Sequence, residues 1–126
     1  MRFTRVILDN FRSFDSLDLQ LTGDVTTLYG DNGAGKSTIL EACFFALYGS
    51  DALQRKETLD DIITKDESTL AVELWFKHDG NQYHLTRELS YSENSNSITK
   101  HDATLKSPAE TYSGVSDVEA AVEGEI

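Results

Sequence analysis

Hydrophobic positions in this chain follow two periods, and the strand period is clearest near its middle. Leu70, Val72, Leu74 and Phe76 alternate with Ala71, Glu73, Trp75 and Lys77, and after Asp79-Gly80 the alternation resumes through Tyr83, Leu85 and Leu89. Asp-Gly is a two-residue turn that accepts positive φ at both positions, so the two runs fold back as a hairpin. The register pairs Phe76 with Tyr83, Leu74 with Leu85, Val72 with Arg87 and Leu70 with Leu89. One face is then apolar; the other, with Lys77/Gln82, Trp75/His84, Glu73/Thr86 and Ala71/Glu88, is mostly wet. Arg87 is the single charge on the apolar face; its long stem favours a side chain that snorkels to water, with a functional cation as the alternative.

Phe3 to Asp9, rich in Val, Ile and Thr, and the alternating Leu17, Leu19 and Leu21 predict two earlier strands. Val25 to Tyr29 predicts a short third strand that ends directly at Gly30, and Ile98 to Leu105 an edge strand before Pro108. The helical period takes over from Lys36 to Tyr48, where apolar residues surround nearly the whole circumference and Gly49 supplies a terminator, as expected of a buried helix. Asp51 to Lys65 is charged, with Leu53, Leu59, Ile62 and Ile63 at loosely helical spacing, and predicts a short helix plus loop. Ser116-Asp117-Val118-Glu119 has capping-box spacing ahead of a last helix starting at Ala120. Strands mixed with a buried helix, and no repeat or linker, give one α/β domain over residues 1–126.

Composition narrows the class. With 39% hydrophobic residues the chain can bury a core, which excludes disorder throughout. No apolar run approaches the ~20 residues of a membrane span, and no signal-like stretch follows Met1, so a soluble, cytoplasmic protein without a membrane partner is expected. The single cysteine, Cys43, excludes an internal disulfide and reads as a core residue; His78, His84 and His101 have no ligand cluster in sequence. Eleven basic against 22 acidic residues give a net charge of −11, which argues against a broad basic patch unless the acidity is that of a salt-loving organism's whole proteome.

Gly30-Asp31-Asn32-Gly33-Ala34-Gly35-Lys36-Ser37 matches the phosphate-binding pattern G-x-x-x-x-G-K-[ST] in full. A chance match in a chain this long has odds of about four in a thousand. The chemistry needs a strand before the loop and a helix after it, so that backbone N–H groups and the helix N-terminus converge on a polyphosphate, and both are predicted here. Gly30, Gly33 and Gly35 let the backbone approach phosphate oxygens that a Cβ would obstruct. Lys36 supplies a charge to the β and γ phosphates, the Ser37 hydroxyl is the Mg²⁺ ligand, and Thr38 offers a hydroxyl to the α phosphate. ATP with Mg²⁺ is the expected ligand.

Loops of the form Gly-x-Asn-Gly-Ala-Gly-Lys-Ser-Thr occur in both transporter-type (ABC) and SMC-like ATPases, so the loop alone does not choose. Leu8-Asp9-Asn10-Phe11-Arg12-Ser13-Phe14, about twenty residues earlier, resembles the N-terminus of SMC-like, SbcC and RecF proteins. Leu40-Glu41-Ala42, Ala46-Leu47-Tyr48-Gly49 and the hairpin from Val72 to Arg87 further resemble the Rad50/SbcC-type double-strand-break-repair ATPases. The resemblance implies the N-terminal lobe of a P-loop ATPase head, with Arg12 reaching the nucleotide phosphates, Asn32, Gly33, Ala34, Gly35, Lys36, Ser37 and Thr38 wrapping them, and Ile63, Thr64 and Lys65 beside the adenosine. It also implies partners: the C-terminal half of the same head, a Mre-eleven/SbcD-type nuclease, a second head joined on ATP binding, and DNA held by the assembly.

The sequence contains no glutamine loop, no Leu-Ser-Gly-Gly-type signature, no apolar run ending in Asp-Glu and no hook cysteines. ATP hydrolysis is therefore expected of the complete head and not of this chain alone, which carries no candidate catalytic residue. A transporter-type nucleotide-binding fragment and a truncated remnant that binds nucleotide without turnover are the competing readings.

Overall fold

Alternation carries most of this architecture. The computed structural model describes residues 2–21, 34–49 and 59–125. Among the described residues six strands form one sheet: β1 (Arg2–Phe11), β2 (Phe14–Gln20), β3 (Thr69–His78), β4 (Asn81–Ser92), β5 (Ser97–Lys106) and β6 (Thr111–Ser113). Their spatial order is β2-β1-β3-β4-β5-β6, and every neighbouring pair is antiparallel. Helix α1 (Ala34–Tyr48) lies across β1, β3 and β4, and helix α2 (Val115–Glu125) covers β5 and β6 and touches α1. The expected strand from Val25 to Tyr29, residues 30–33 of the glycine loop, and residues 50–58 lie outside the described residues.

The hairpin has the register read from its pattern: Phe76 faces Tyr83, Leu74 faces Leu85, Val72 faces Arg87 and Leu70 faces Leu89. Asp79 (φ 50°) and Gly80 (φ 79°) occupy the two left-handed turn positions. A register shift between Phe3 and Arg5 sends both Phe3 and Val6 inward, so β1 keeps an apolar face across an irregularity. Phe3, Val6, Leu8, Phe11, Leu70, Val72, Leu74, Phe76, Leu85 and Leu89 are buried against Ala42, Cys43, Phe45, Ala46 and Leu47 of α1. A helix apolar on nearly all sides is thus accommodated against the sheet, with α2 touching it.

Three expectations change. The strand expected at the edge, Ile98 to Leu105, is β5 and is not the edge strand, because the chain after Pro108 returns as β6 and pairs with Thr104, Leu105 and Lys106. The last helix begins at Val115, not Ala120, because the Gly114 N–H is fixed to the Ala103 carbonyl at 2.9 Å and its own carbonyl accepts the first helical bond from Val118 at 3.0 Å. Gly114, at φ 94°, makes that entry, so Ser116 and Glu119 lie inside the helix and the capping-box reading falls. Arg87 does not snorkel: it is fully buried. The C-terminal end of α1 lies over it and takes its guanidinium inside.

Candidate functional site

The turn between β1 and β2 is tied down from the side. Asn10 (φ 57°) and Arg12 (φ 51°) hold left-handed conformations that a side chain adopts only under constraint. That constraint is a short strap, the 3-10 turn Leu59–Ile62 and the residues after it. The Arg12 N–H donates to the Ile62 carbonyl at 2.7 Å, the Thr64 N–H to the Asn10 carbonyl at 2.8 Å, and the Thr64 hydroxyl to the Phe14 carbonyl at 3.3 Å. Ile63 bridges Phe11 and joins the core.

From this braced turn the Arg12 side chain reaches α1. Its Nε and Nη2 donate to the two carboxylate oxygens of Glu41, the second at 3.0 Å, and both side chains are about three-quarters buried. Glu41 follows Ser37 by four residues, about 6 Å along a helix axis. Arg12 therefore stands one turn behind the Lys36-Ser37 pair.

Helix α1 begins at Ala34, so Ala34, Gly35, Lys36 and Ser37 form its first turn, which carries no carboxylate. The first N–H groups of a helix have no intrahelical partner and carry partial positive charge. Polyphosphate is the kind of ligand that such an end accepts. Gly30, Asn32 and Gly33 lie outside the described residues, as do the side chains of Ala34, Gly35, Lys36 and Ser37. Thr38 is half-buried, and Lys65 is exposed beyond the strap. Of the residues named from sequence, the fold gathers Arg12, Ile63 and Thr64 at the β1–β2 turn, from which Arg12 reaches α1 while Ile63 packs inward.

Sequence reasoning missed the role of Arg87. Its Nε donates to the Ala46 carbonyl at 2.6 Å and Nη2 to the Leu47 carbonyl at 3.3 Å, while Nη1 lies 3.2 Å from His101 Nε2 and 3.8 Å from Glu119 Oε1. Burial pushes the Arg87 guanidinium below its ordinary value and Glu119 works against that shift. His101 is also pushed down, first by burial and then by the Arg87 charge. The available signal was a lone charge on an apolar hairpin face. Cys43 is fully buried on α1, and burial pushes its thiol up to about 12, as befits a core residue and not a nucleophile.

On the opposite face of the sheet, Trp75 stacks on His84 with ring centroids 4.3 Å apart, and the Arg5 guanidinium sits 4.9 Å from the Trp75 ring. Arg5 also forms a two-point ion pair with Asp18, at 2.9 and 2.7 Å. These contacts order the wet face without burying it.

A family model described as an AAA domain matches residues 5–119. The DNA double-strand break repair Rad50 ATPase of Halobacterium salinarum is 40% identical over 124 residues, spanning 98% of this chain and 14% of that protein. A component of the SbcCD nuclease of Deinococcus radiodurans is 42% identical over 73 residues, 58% of this chain and 8% of that protein. The chain thus spans a small part of the curated relatives it matches. Among solved structures, the recombination mediator RecF bound to ATP superposes with a TM-score of 0.51 at 18% identity, over 87% of this chain and 27% of that one, a likeness of fold. No helix among the described residues is long and apolar enough to cross a membrane.

Proposed function

Since the chain belongs to the AAA-domain family, we propose that it is a single unit forming the N-terminal part of a cytoplasmic Rad50/SbcC-type ATPase head, and that it binds Mg-ATP at the first turn of α1. The observation that carries this is the placement of a complete phosphate-loop sequence at the start of a helix whose body is buried and whose flank is held by Arg12 through Glu41. A helix N-terminus whose first turn holds no acidic residue fits a polyphosphate. Lys36 would neutralise the β and γ phosphates, the Ser37 hydroxyl would hold Mg²⁺, and Thr38 would meet the α phosphate. Mg²⁺ held there would supply positive charge to neutralise the polyphosphate.

Arg12 would add a cation from the β1–β2 turn, and the strap at Ile63, Thr64 and Lys65 would border the nucleoside. In a complete head, joined by the C-terminal half and paired with a second head, ATP binding and hydrolysis would drive double-strand-break repair with a nuclease partner acting on DNA. The names of the relatives support this assignment.

Calorimetric titration with Mg-ATP tests the binding step. Lys36→Ala should weaken affinity at least tenfold, which corresponds to ~1.4 kcal/mol. Equal affinity in parent and variant would sink the reading.

A further inference from the structure

Helix α1 needs partners at its C-terminal end that its own last turn does not supply. Its last carbonyls have no intrahelical donor, and its final turn contains no Lys, Arg or His to offset the negative end of the helix dipole. The missing charge comes from β4 instead. Arg87 binds two consecutive terminal carbonyls, those of Ala46 and Leu47, from inside the core.

Room for the guanidinium is made by Gly49. It ends the helix at φ 62°, and a Cβ there would lie 3.0 Å from Arg87 Nη1 and 3.1 Å from Glu119 Oε1. His101 on β5 and Glu119 on α2 complete the surroundings, so β4, β5, α1 and α2 meet around one buried cation.

Apolar packing sets how deeply a helix sits on a sheet and, through interdigitated side chains, resists large shifts, but its driving force is non-directional. Hydrogen bonds are directional and weaken steeply with misalignment, so they fix the axial position more finely. We infer that Arg87 is a positioning residue for the nucleotide site: by fixing the C-terminal carbonyls of α1 it sets the axial placement of the whole helix, and with it the N–H groups of the first turn. A 15-residue helix carries such a constraint about 22 Å from one end to the other. This rests on the proposed binding of Mg-ATP at that first turn.

The test compares Mg-ATP affinity in the parent chain, Arg87→Met, Arg87→Lys and Gly80→Ala. Gly80→Ala is a control that strains a turn where the added methyl meets no neighbour. Each variant is checked for a cooperative melt. We expect affinity to fall at least fivefold in Arg87→Met, to recover partly in Arg87→Lys, and to stay at the parent value in Gly80→Ala at a similar loss of melting temperature. Should Arg87→Met not fold, Arg87→Lys decides, since it keeps the charge but reaches only one carbonyl at a time. Folded Arg87 variants with parent affinity, or an equal loss in Gly80→Ala, would overturn this role and leave the nucleotide site standing. A parent chain that gives no binding overturns the site itself, and the positioning role with it.

Discussion

Arg12 meets Glu41 fork to fork, each of two guanidinium nitrogens donating to its own carboxylate oxygen. The pair joins the β1–β2 turn to the second turn of α1 while holding Arg12 one helical turn from Ser37. Arg12 thus has a carboxylate partner in the structure and, on the proposed function, a phosphate partner when nucleotide binds. The two partners compete for one cation.

That competition makes a signed prediction. Glu41→Gln leaves a hydrogen-bonding side chain but removes the rival anion, so Mg-ATP affinity should be unchanged or tighter. Arg12→Ala should weaken it several-fold. Denaturant unfolding of the two single variants and the double variant should also give a coupling of about 1 kcal/mol, within the range for contacting charged pairs. Weaker nucleotide binding in Glu41→Gln would show that Arg12 acts only through the ion pair.

Two histidines predict acid lability. His84 is pushed below its ordinary value by burial, and His101 by burial and the neighbouring Arg87. The unfolded chain therefore takes up these protons first as pH falls. The stability concerned is fully present above the unfolded histidine pKa of about 6.5 and is lost as pH drops through the lower folded values. Denaturation midpoints should be flat from pH 8 to 7 and decline towards pH 5, and His101→Gln should flatten part of the decline. An unchanged slope in that variant would remove His101 from the account.

Gly49 and Gly80 both hold positive φ, but their surroundings differ. A methyl at Gly80 enters open space, so Gly80→Ala pays only the backbone cost, roughly 1 kcal/mol. At Gly49 the same strain is joined by crowding of the pinned Arg87 guanidinium. Gly49→Ala should lower the unfolding midpoint by clearly more than Gly80→Ala, and equal losses would mean that the guanidinium moves aside freely.

A net charge of −11 predicts a salt response. The screening length falls from ~10 Å at 0.1 M to ~3 Å at 1 M salt, which relieves repulsion among the excess carboxylates. The thermal midpoint should rise between 0.1 M and 2 M KCl; a flat or falling midpoint would leave the acidity without a role in stability.

On the proposed function, hydrolysis would separate this chain from a complete head. With no residue assigned to polarise an attacking water, turnover by the purified chain should stay near background and appear when the C-terminal half of the head is supplied. Steady hydrolysis by the chain alone, abolished in Lys36→Ala, would contradict this.

By itself the sequence determined whatever depends on neighbours along the chain. The hairpin register from Leu70 to Leu89 was legible because period-two burial and an Asp-Gly turn each specify the same pairing. The buried helix up to Tyr48 was legible because its apolar residues leave no polar face to expose. The phosphate-loop motif can be read because its pattern is written in consecutive residues, and of its eight positions only the backbone from Ala34 onward falls among the described residues. Tertiary structure decided what depends on elements meeting. Ser116 and Glu119 have capping-box spacing, but the hydrogen bond from Gly114 to β5 started the helix earlier and turned Glu119 towards Arg87. Arg87 looked like a snorkelling side chain because strand alternation says only which face a residue takes. Whether that face meets water or the bare carbonyls of a helix end is fixed by where α1 stops, at Gly49, nearly forty residues away.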